Sequence, residues 1–207
     1  MPAYNEEDNI VPMVTQLVQT LRGLVTDFEV IVVNDGSRDR TGALTQELSA
    51  EFPQVRLINH PRNLGYGAAL YSGFTHATKE LIFLTDSDRQ FDLSDLQHVL
   101  PLIADCDLVA GYRAPRRDSW LRVFYGKGWS ALVTLLFGYT ARDIDCAFKL
   151  FRREIMDHVQ IESRGATFSA EFLVRAKRAG YRIREAPVKH LPRVAGSPTG
   201  ARLHVIL

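Results

Sequence analysis

A short apolar run, Leu81-Ile-Phe-Leu84, ends in Thr85 and then in two carboxylates one residue apart, Asp86 and Asp88. Four consecutive apolar residues suit a strand covered on both faces. The break at Asp-Ser-Asp puts acidic side chains at the carboxyl end of that strand, where open α/β sheets bind ligands. Two carboxylates this close repel unless something positive lies between them. A hard divalent cation meets that need, because Mg2+ takes few carboxylates and keeps water and phosphate oxygens as its other ligands. A polar turn after a strand accounts for the same residues without an ion, since Asp is a common turn former.

The rest of the chain alternates strand and helix signals. Asn5, followed by acidic residues, reads as a helix N-cap. Ile10, Val14, Leu17, Val18 and Leu21 then share one helical face, with Pro12 inside the pattern. Phe28–Asn34 reads as a buried strand ended by the polar loop from Asp35, Thr41–Glu51 as a crossover helix and Val55–Asn59 as another strand. The glycines of Asn63-Leu-Gly-Tyr-Gly67 open a closely packed helix. As a dinucleotide fingerprint they are weak, because the third glycine is missing. Asp92 caps a helix toward Leu102, Asp107–Arg113 returns as a strand, Asp143 to Glu154 is a loop entering a strand, Phe168–Gly180 is a helix stopped by glycine, and Tyr181–Val188 is a last strand. This pattern predicts right-handed βαβ units and a mostly parallel sheet flanked by helices.

A length of 207 residues fits one domain over 1–207. The net charge of +1 gives no global field for nucleic acid, so an anionic partner has to be held by a local basic cluster. Two cysteines, Cys106 and Cys146, form neither a disulfide framework nor a zinc ligand set, which points to a reducing compartment. No apolar run approaches the roughly 20 residues that span a bilayer. Segment 114–137 interleaves Arg116, Arg117, Arg122 and Lys127 with Trp120, Phe124, Tyr125 and Trp129. Such a helix either lies in a membrane interface or packs on the core, and periodicity alone leans to the core. The tail 190–207 is loop-like, with Arg193 available to an anion.

Pro2-Ala-Tyr-Asn-Glu-Glu, Val33-Asn-Asp-Gly-Ser, Asn63-Leu-Gly-Tyr-Gly, Asp86-Ser-Asp-Arg-Gln, Asp143-Ile-Asp-Cys-Ala-Phe-Lys-Leu-Phe and Glu171 follow one another along nearly the whole chain. Together and in this order they resemble the family 2 glycosyltransferases, and within them the dolichyl- or polyprenyl-phosphate sugar synthases. The resemblance implies a GT-A fold and inverting transfer of a sugar from a nucleotide diphosphate donor, a GDP- or UDP-sugar, to a polyprenyl phosphate. It implies peripheral attachment at the cytoplasmic face of a membrane and no nucleic acid partner. It assigns Pro2, Tyr4, Glu6, Asp35, Asp86, Ser87 and Asp88 to the donor nucleotide, and Asp86, Asp88 and Gln90 to a divalent metal, Mg2+ or Mn2+. Arg113 and Arg193 fall to phosphate binding. Asp143 and Asp145 are the catalytic candidates if a base is needed, and Glu171 takes a structural or orienting role.

A sugar hydroxyl acceptor must lose a proton to a nearby carboxylate. A lipid phosphate need not, because a phosphate monoester has a second pKa of about 6 and is already anionic. Two departures from the family pattern stand out. The family has an apolar strand before Pro-Ala-Tyr-Asn-Glu, whereas this chain begins inside the motif and is expected to lack its first strand. Either the start lies upstream, or neighbouring strands close the gap, or the chain is unstable. The lysine often found near Thr199 is replaced by Gly196-Ser-Pro-Thr-Gly200, which weakens the acceptor assignment. Transfer to a saccharide or other hydroxyl, and a non-catalytic truncated paralogue, are the alternatives.

Overall fold

The computed structural model describes residues 1–115 and 120–195. Arg116, Arg117 and the Gly196–Gly200 stretch with Thr199 lie outside the described residues, as does the side chain of Arg122. Strands β1 (Pro2–Ala3), β2 (Val30–Asn34) and β3 (Val55–Asn59) form one parallel sheet in the order β1-β2-β3. A second sheet has the order β4-β6-β5-β7, built from β4 (Leu81–Leu84), β5 (Leu108–Arg113), β6 (Lys149–Arg152) and β7 (Ile183–Val188). There β5 and β7 are parallel, and β6 runs antiparallel to both β4 and β5. The mostly parallel α/β arrangement holds, with β6 as its exception.

Helix α1 (Glu7–Leu24) buries Ile10, Met13, Val14, Leu17 and Val18 against the first sheet. Full burial of each such side chain contributes roughly 1.5–3 kcal/mol before entropy is counted. Pro12 is accommodated inside this helix. Asn5 is not its N-cap: Asn5 has φ +54°, and Glu6 at the cap position makes no side-chain cap bond. The loop after β2 satisfies the helix start instead. The Ser37 hydroxyl accepts from Asn5 N at 3.0 Å, Thr41 Oγ1 from Glu6 N at 2.8 Å and Asp39 Oδ2 from Glu7 N at 3.1 Å, while Asn5 Oδ1 accepts from Arg38 N at 2.8 Å. These exchanges answer the orphan N–H groups of a helix start from outside the helix and bind the two motif-bearing loops together.

Helices α2 (Thr41–Glu51) and α3 (Tyr66–His76) follow β2 and β3 as the sequence pattern predicts. The helix from Asp92 is broken: Asp92 does cap, accepting from Ser94 N at 3.0 Å, but short 3-10 turns, Leu93–Asp95 and Leu100–Ala104, flank a single α turn, α4 (Leu96–Val99). Pro101 stands at the start of the second turn, where a missing N–H costs least. Beyond β5 come α5 (Trp120–Phe137), α6 (Ile155–His158) and α7 (Phe168–Arg178). Phe74 of α3 meets Phe151 of β6 at 5.0 Å between ring centroids, and Phe151 meets Phe172 of α7 at 4.9 Å, tying these elements into the larger core.

Contrary to the expectation of a missing first strand, β1 is present as the two residues Pro2–Ala3. Pro2 and Ala3 pair with Val33 and Asn34, and the N-terminal half of β2 has β3 on one side only. Between β2 and β4 lies a groove of about 380 Å³ lined by Ile31, Leu70, Phe74, Ile82, Phe83 and other mainly apolar residues. Leu81 and Phe83 are only half-buried, so β4 is not fully covered on both faces. The Met1 amino group is buried at this point and donates to Ile31 O at 2.9 Å. Burial drives its pKa down from 8.0 to about 5, against the opposing pull of Asp86.

Candidate active site

The Asp86-Ser-Asp88 triplet leaves the carboxyl end of β4 as predicted, and the next residue, Arg89, adopts φ +60°. This left-handed turn, uncommon for a residue with a Cβ, lets Asp88 Oδ1 accept from Gln90 N at 3.1 Å. Asp86 takes a different partner: Tyr66 of α3 donates its hydroxyl to Asp86 Oδ1 at 3.0 Å. Burial, and then the charge of Asp88, push the Asp86 carboxyl up to about 7, against the Tyr66 hydrogen bond and the charges of Lys149 and Arg113. Burial, followed by Asp86, also holds the Tyr66 phenol well above its usual range, so it stays a proton donor.

Arg193 reaches into the same place. Its Nη2 lies 2.5 Å from Glu6 Oε1, its Nη1 3.4 Å from Asp88 Oδ2, and its Nε donates to Ala195 O at 2.8 Å. The segment carrying it is laid along the Asp86–Gln90 turn by a bridge between Phe91 and His190, by Leu191 N to Gln90 O at 2.8 Å, and by the Gln90 side-chain amide to Leu191 O at 3.3 Å. Asn9 Nδ2 joins Glu6 Oε2 at 2.7 Å to Ala195 O at 3.2 Å. Glu6, Asp88, Gln90 and Arg193 are thus brought together from opposite ends of the chain.

Other predicted site residues have protein partners of their own. Asp35 is 4% exposed. Its Oδ1 accepts from Leu64 N at 2.9 Å and meets His60 Nδ1 at 2.7 Å, its Oδ2 accepts from Gly65 N at 2.9 Å, and His60 Nε2 meets Ser72 Oγ at 2.9 Å. The Asn63–Gly67 motif is therefore anchored on Asp35. Pro2 is buried in β1 and Tyr4 is half-buried beside it. Arg113 grips Asp143 through two side-chain bonds, Nε to Oδ2 and Nη2 to Oδ1, both 2.7 Å. Asp143 is buried, whereas Asp145 is exposed. Beneath them Lys149, 1% exposed, donates to Ile144 O at 3.0 Å and to Cys146 O, and burial lowers its pKa. Burial pushes the Cys146 thiol up to about 12, which makes it an unreactive core residue. Glu171, for which a structural or orienting role is expected, accepts from Glu162 N at 3.1 Å and Ser163 N at 2.7 Å and so holds the segment ahead of α7.

Sequence reasoning did not single out Tyr66, His60 or Lys149. Lys149 left a visible signal, a lone charge inside Phe148-Lys-Leu-Phe151. Tyr66 stood between two glycines whose spacing drew attention instead. Among the described residues no three His, Cys, Asp or Glu side chains cluster as a metal site. A cation at the Asp86–Asp88 pair would complete its shell with water and phosphate oxygens, as Mg2+ does. The residues fit that group: two carboxylates converge where the chain already directs a guanidinium.

The shift of Asp86 predicts a pH dependence. Its folded value of about 7 exceeds its ordinary 3.8, so the folded chain keeps a proton that the unfolded chain releases. Stability from this group is present at low pH and lost as pH rises from about 4 to about 7. Asp86→Asn cannot ionise. Without divalent metal its Tm relative to the parent is expected to be higher at pH 8 than at pH 5, and a difference independent of pH contradicts the shift.

Residues 1–160 match the family described as Glycosyl transferase family 2. The chain is 33% identical over 212 residues to a dolichyl-phosphate beta-glucosyltransferase, ALG5C, of Trichomonas vaginalis, covering 91% of this chain and 62% of that protein. It is 28% identical to an undecaprenyl-phosphate 4-deoxy-4-formamido-L-arabinose transferase of Sodalis glossinidius, covering 95% of this chain and 60% of that one. The chain therefore spans only about three fifths of these relatives' length. Among solved structures, a mannosyltransferase of Pyrobaculum calidifontis in complex with GDP-Man and Mn2+ matches with TM-score 0.69 at 20% identity, over 97% of this chain and 57% of that one. Glucosyl-3-phosphoglycerate synthase of Mycobacterium tuberculosis with Mn2+ and UDP-glucose matches with TM-score 0.66 at 20% identity, over 96% and 70%. These two likenesses are of fold, the GT-A type. With its motifs in order and the family match running from β1 to beyond α6, the chain belongs to glycosyl transferase family 2.

Proposed function

We propose that this chain is an inverting hexosyltransferase that moves a sugar from a GDP- or UDP-sugar to a polyprenyl phosphate at a membrane surface, with Mg2+ or Mn2+ at Asp86 and Asp88. The observation that carries the reading is the Asp86–Asp88 pair, two carboxylates short of positive charge, with Arg193 drawn in between Glu6 and Asp88. A bound divalent ion supplies charge neutralisation for the diphosphate leaving group. Gln90 stands beside the pair as the third ligand candidate. Asp35 holds the Asn63–Gly65 turn that, with Pro2, Tyr4 and Glu6, forms the nucleoside side of the site, and Ser87 lies between the two metal carboxylates. Arg193 is placed to pass from carboxylate to phosphate once a cation takes over its charge.

The acceptor reading draws on the same geometry. Asp143 is occupied by Arg113, which leaves it poorly suited to take a proton and leaves Arg113 as a fixed positive edge of the site. A phosphate monoester acceptor needs no base, because its attacking oxygen is anionic above about pH 6. Helix α5 supports a membrane-facing role. It packs on the core through Val133 and Trp129 but leaves Trp120 77% and Leu135 82% exposed, together with Phe124, Tyr125, Leu136 and Phe137. Arg178 of α7 lies 5.4 Å from the centroid of the Phe137 ring. An exposed apolar face with cations at its edge suits lipid headgroups and acyl chains. No helix among the described residues is long and apolar enough to cross a membrane. In the relatives' names the same acceptor class recurs, dolichyl and undecaprenyl phosphate.

Nucleotide release from GDP- or UDP-sugars in the presence of polyprenyl phosphate tests the reading. Asp88→Ala is expected to lose about a hundredfold or more in turnover, whereas Asp145→Asn keeps most of it. If Asp145→Asn abolishes turnover while sparing donor binding, the acceptor is a hydroxyl. Leu135→Glu is expected to lower turnover on acceptor embedded in anionic vesicles while sparing turnover on a short-chain, water-soluble acceptor, and equal loss on both removes the membrane role of α5.

A further inference from the structure

We propose that Tyr66 is the positioning residue of the metal carboxylate, its hydroxyl fixing the Asp86 carboxyl so that Asp86 and Asp88 form a preformed half-site for a divalent cation. The inference rests on the donor-site reading above and names a residue that reading leaves without a task.

The phenol is held firmly from several sides. Tyr66 opens α3 between two glycines that the packing requires. Gly65 has φ +99°, and a Cβ on Gly67 would fall 2.7 Å from the carbonyl carbon of Arg164. The first turn of α3 therefore lies directly on the Arg164–Gly165 backbone, and Ala68 N donates to Arg164 O at 3.0 Å. From the other side Asp35 takes the N–H groups of Leu64 and Gly65 at 2.9 Å each, and is itself held by His60, which is held by Ser72. The Tyr66 ring packs against the main core. Its position is thus set before its hydroxyl is used.

The hydroxyl reaches across from α3 to the end of β4 and meets Asp86 Oδ1 at 3.0 Å. Among the described residues this is the side-chain hydrogen bond to the Asp86 carboxylate. Asp88 is held differently, by Gln90 N and by Arg193. One carboxylate of the pair is therefore attached to the rigid α3 platform and the other to the turn and the tail. Partners that orient a ligating side chain commonly govern metal affinity by about 10–100-fold. A phenol suits the task, because it occupies one carboxylate oxygen without bringing a competing positive charge.

Tyr66→Phe removes one oxygen and keeps the ring that packs. Mn2+ is titrated into the parent and the variant with saturating UDP or GDP present, free Mn2+ being read by electron paramagnetic resonance, and nucleotide affinity without metal is measured separately by calorimetry. The expected result is an Mn2+ Kd raised about tenfold or more, with metal-free nucleotide affinity changed by less than about twofold. A merely structural role for the ring would move neither, or both together. An unchanged Mn2+ Kd in Tyr66→Phe, with Asp88→Ala binding no Mn2+, overturns the role of Tyr66 and leaves the donor site standing. Failure of the parent to bind Mn2+, or full Mn2+ binding by Asp88→Ala, overturns both.

Discussion

The cost of a charged Asp86, set first by burial and then by the charge of Asp88, organises this molecule. The chain answers by bringing compensating groups from far along its length. Tyr66 comes from the start of α3, Lys149 from β6, Arg113 from the end of β5 and Arg193 from the tail. Each is engaged elsewhere as well: Arg113 with Asp143, Lys149 with the carbonyls of Ile144 and Cys146, Arg193 with Glu6. The site is thus a set of engaged cations around a carboxyl that resists ionising, and the ligand proposed for it, a divalent ion carrying a diphosphate, would bring positive charge there.

The division of the strands into two sheets sets a second constraint. Pro2 and Ala3 pair with β2 in the first sheet, and residues of β2 and β4 line one mainly apolar groove. What holds the donor side together is therefore side-chain bonding between loops more than a continuous ladder. Ser37, Asp39 and Thr41 cap the start of α1, and Arg193 ties Glu6 to Asp88.

Much of this was legible in the residues. The ranges of α2, β3 and β4 follow from the runs Thr41–Glu51, Val55–Asn59 and Leu81–Leu84, because each is bounded by turn chemistry and carries one clear period. The placing of Asp86 and Asp88 at the end of β4 also follows from local signals. What escaped was non-local. Asn5 looks like a helix cap because its neighbours are acidic, but its side chain serves a loop more than thirty residues away. The pairing of Arg113 with Asp143, thirty residues on, has no local signal in either segment. For helix α5 composition allowed a membrane interface while periodicity leaned to the core, and the fold shows Val133 buried with Trp120, Phe124, Tyr125 and Leu135 exposed. Tyr66 had no signal of its own, since its role depends on the distance from α3 to the end of β4.

The central claim is that the charge deficit at the end of β4 is a site for a metal-bound nucleotide sugar. Calorimetric titration of GDP- and UDP-sugars into the purified chain, with and without Mn2+, tests it most directly. The account predicts that at least one of these donors binds when Mn2+ is present and that its affinity falls by about tenfold or more when the metal is chelated. Absence of binding by every donor, or binding of equal affinity with and without metal, would contradict it.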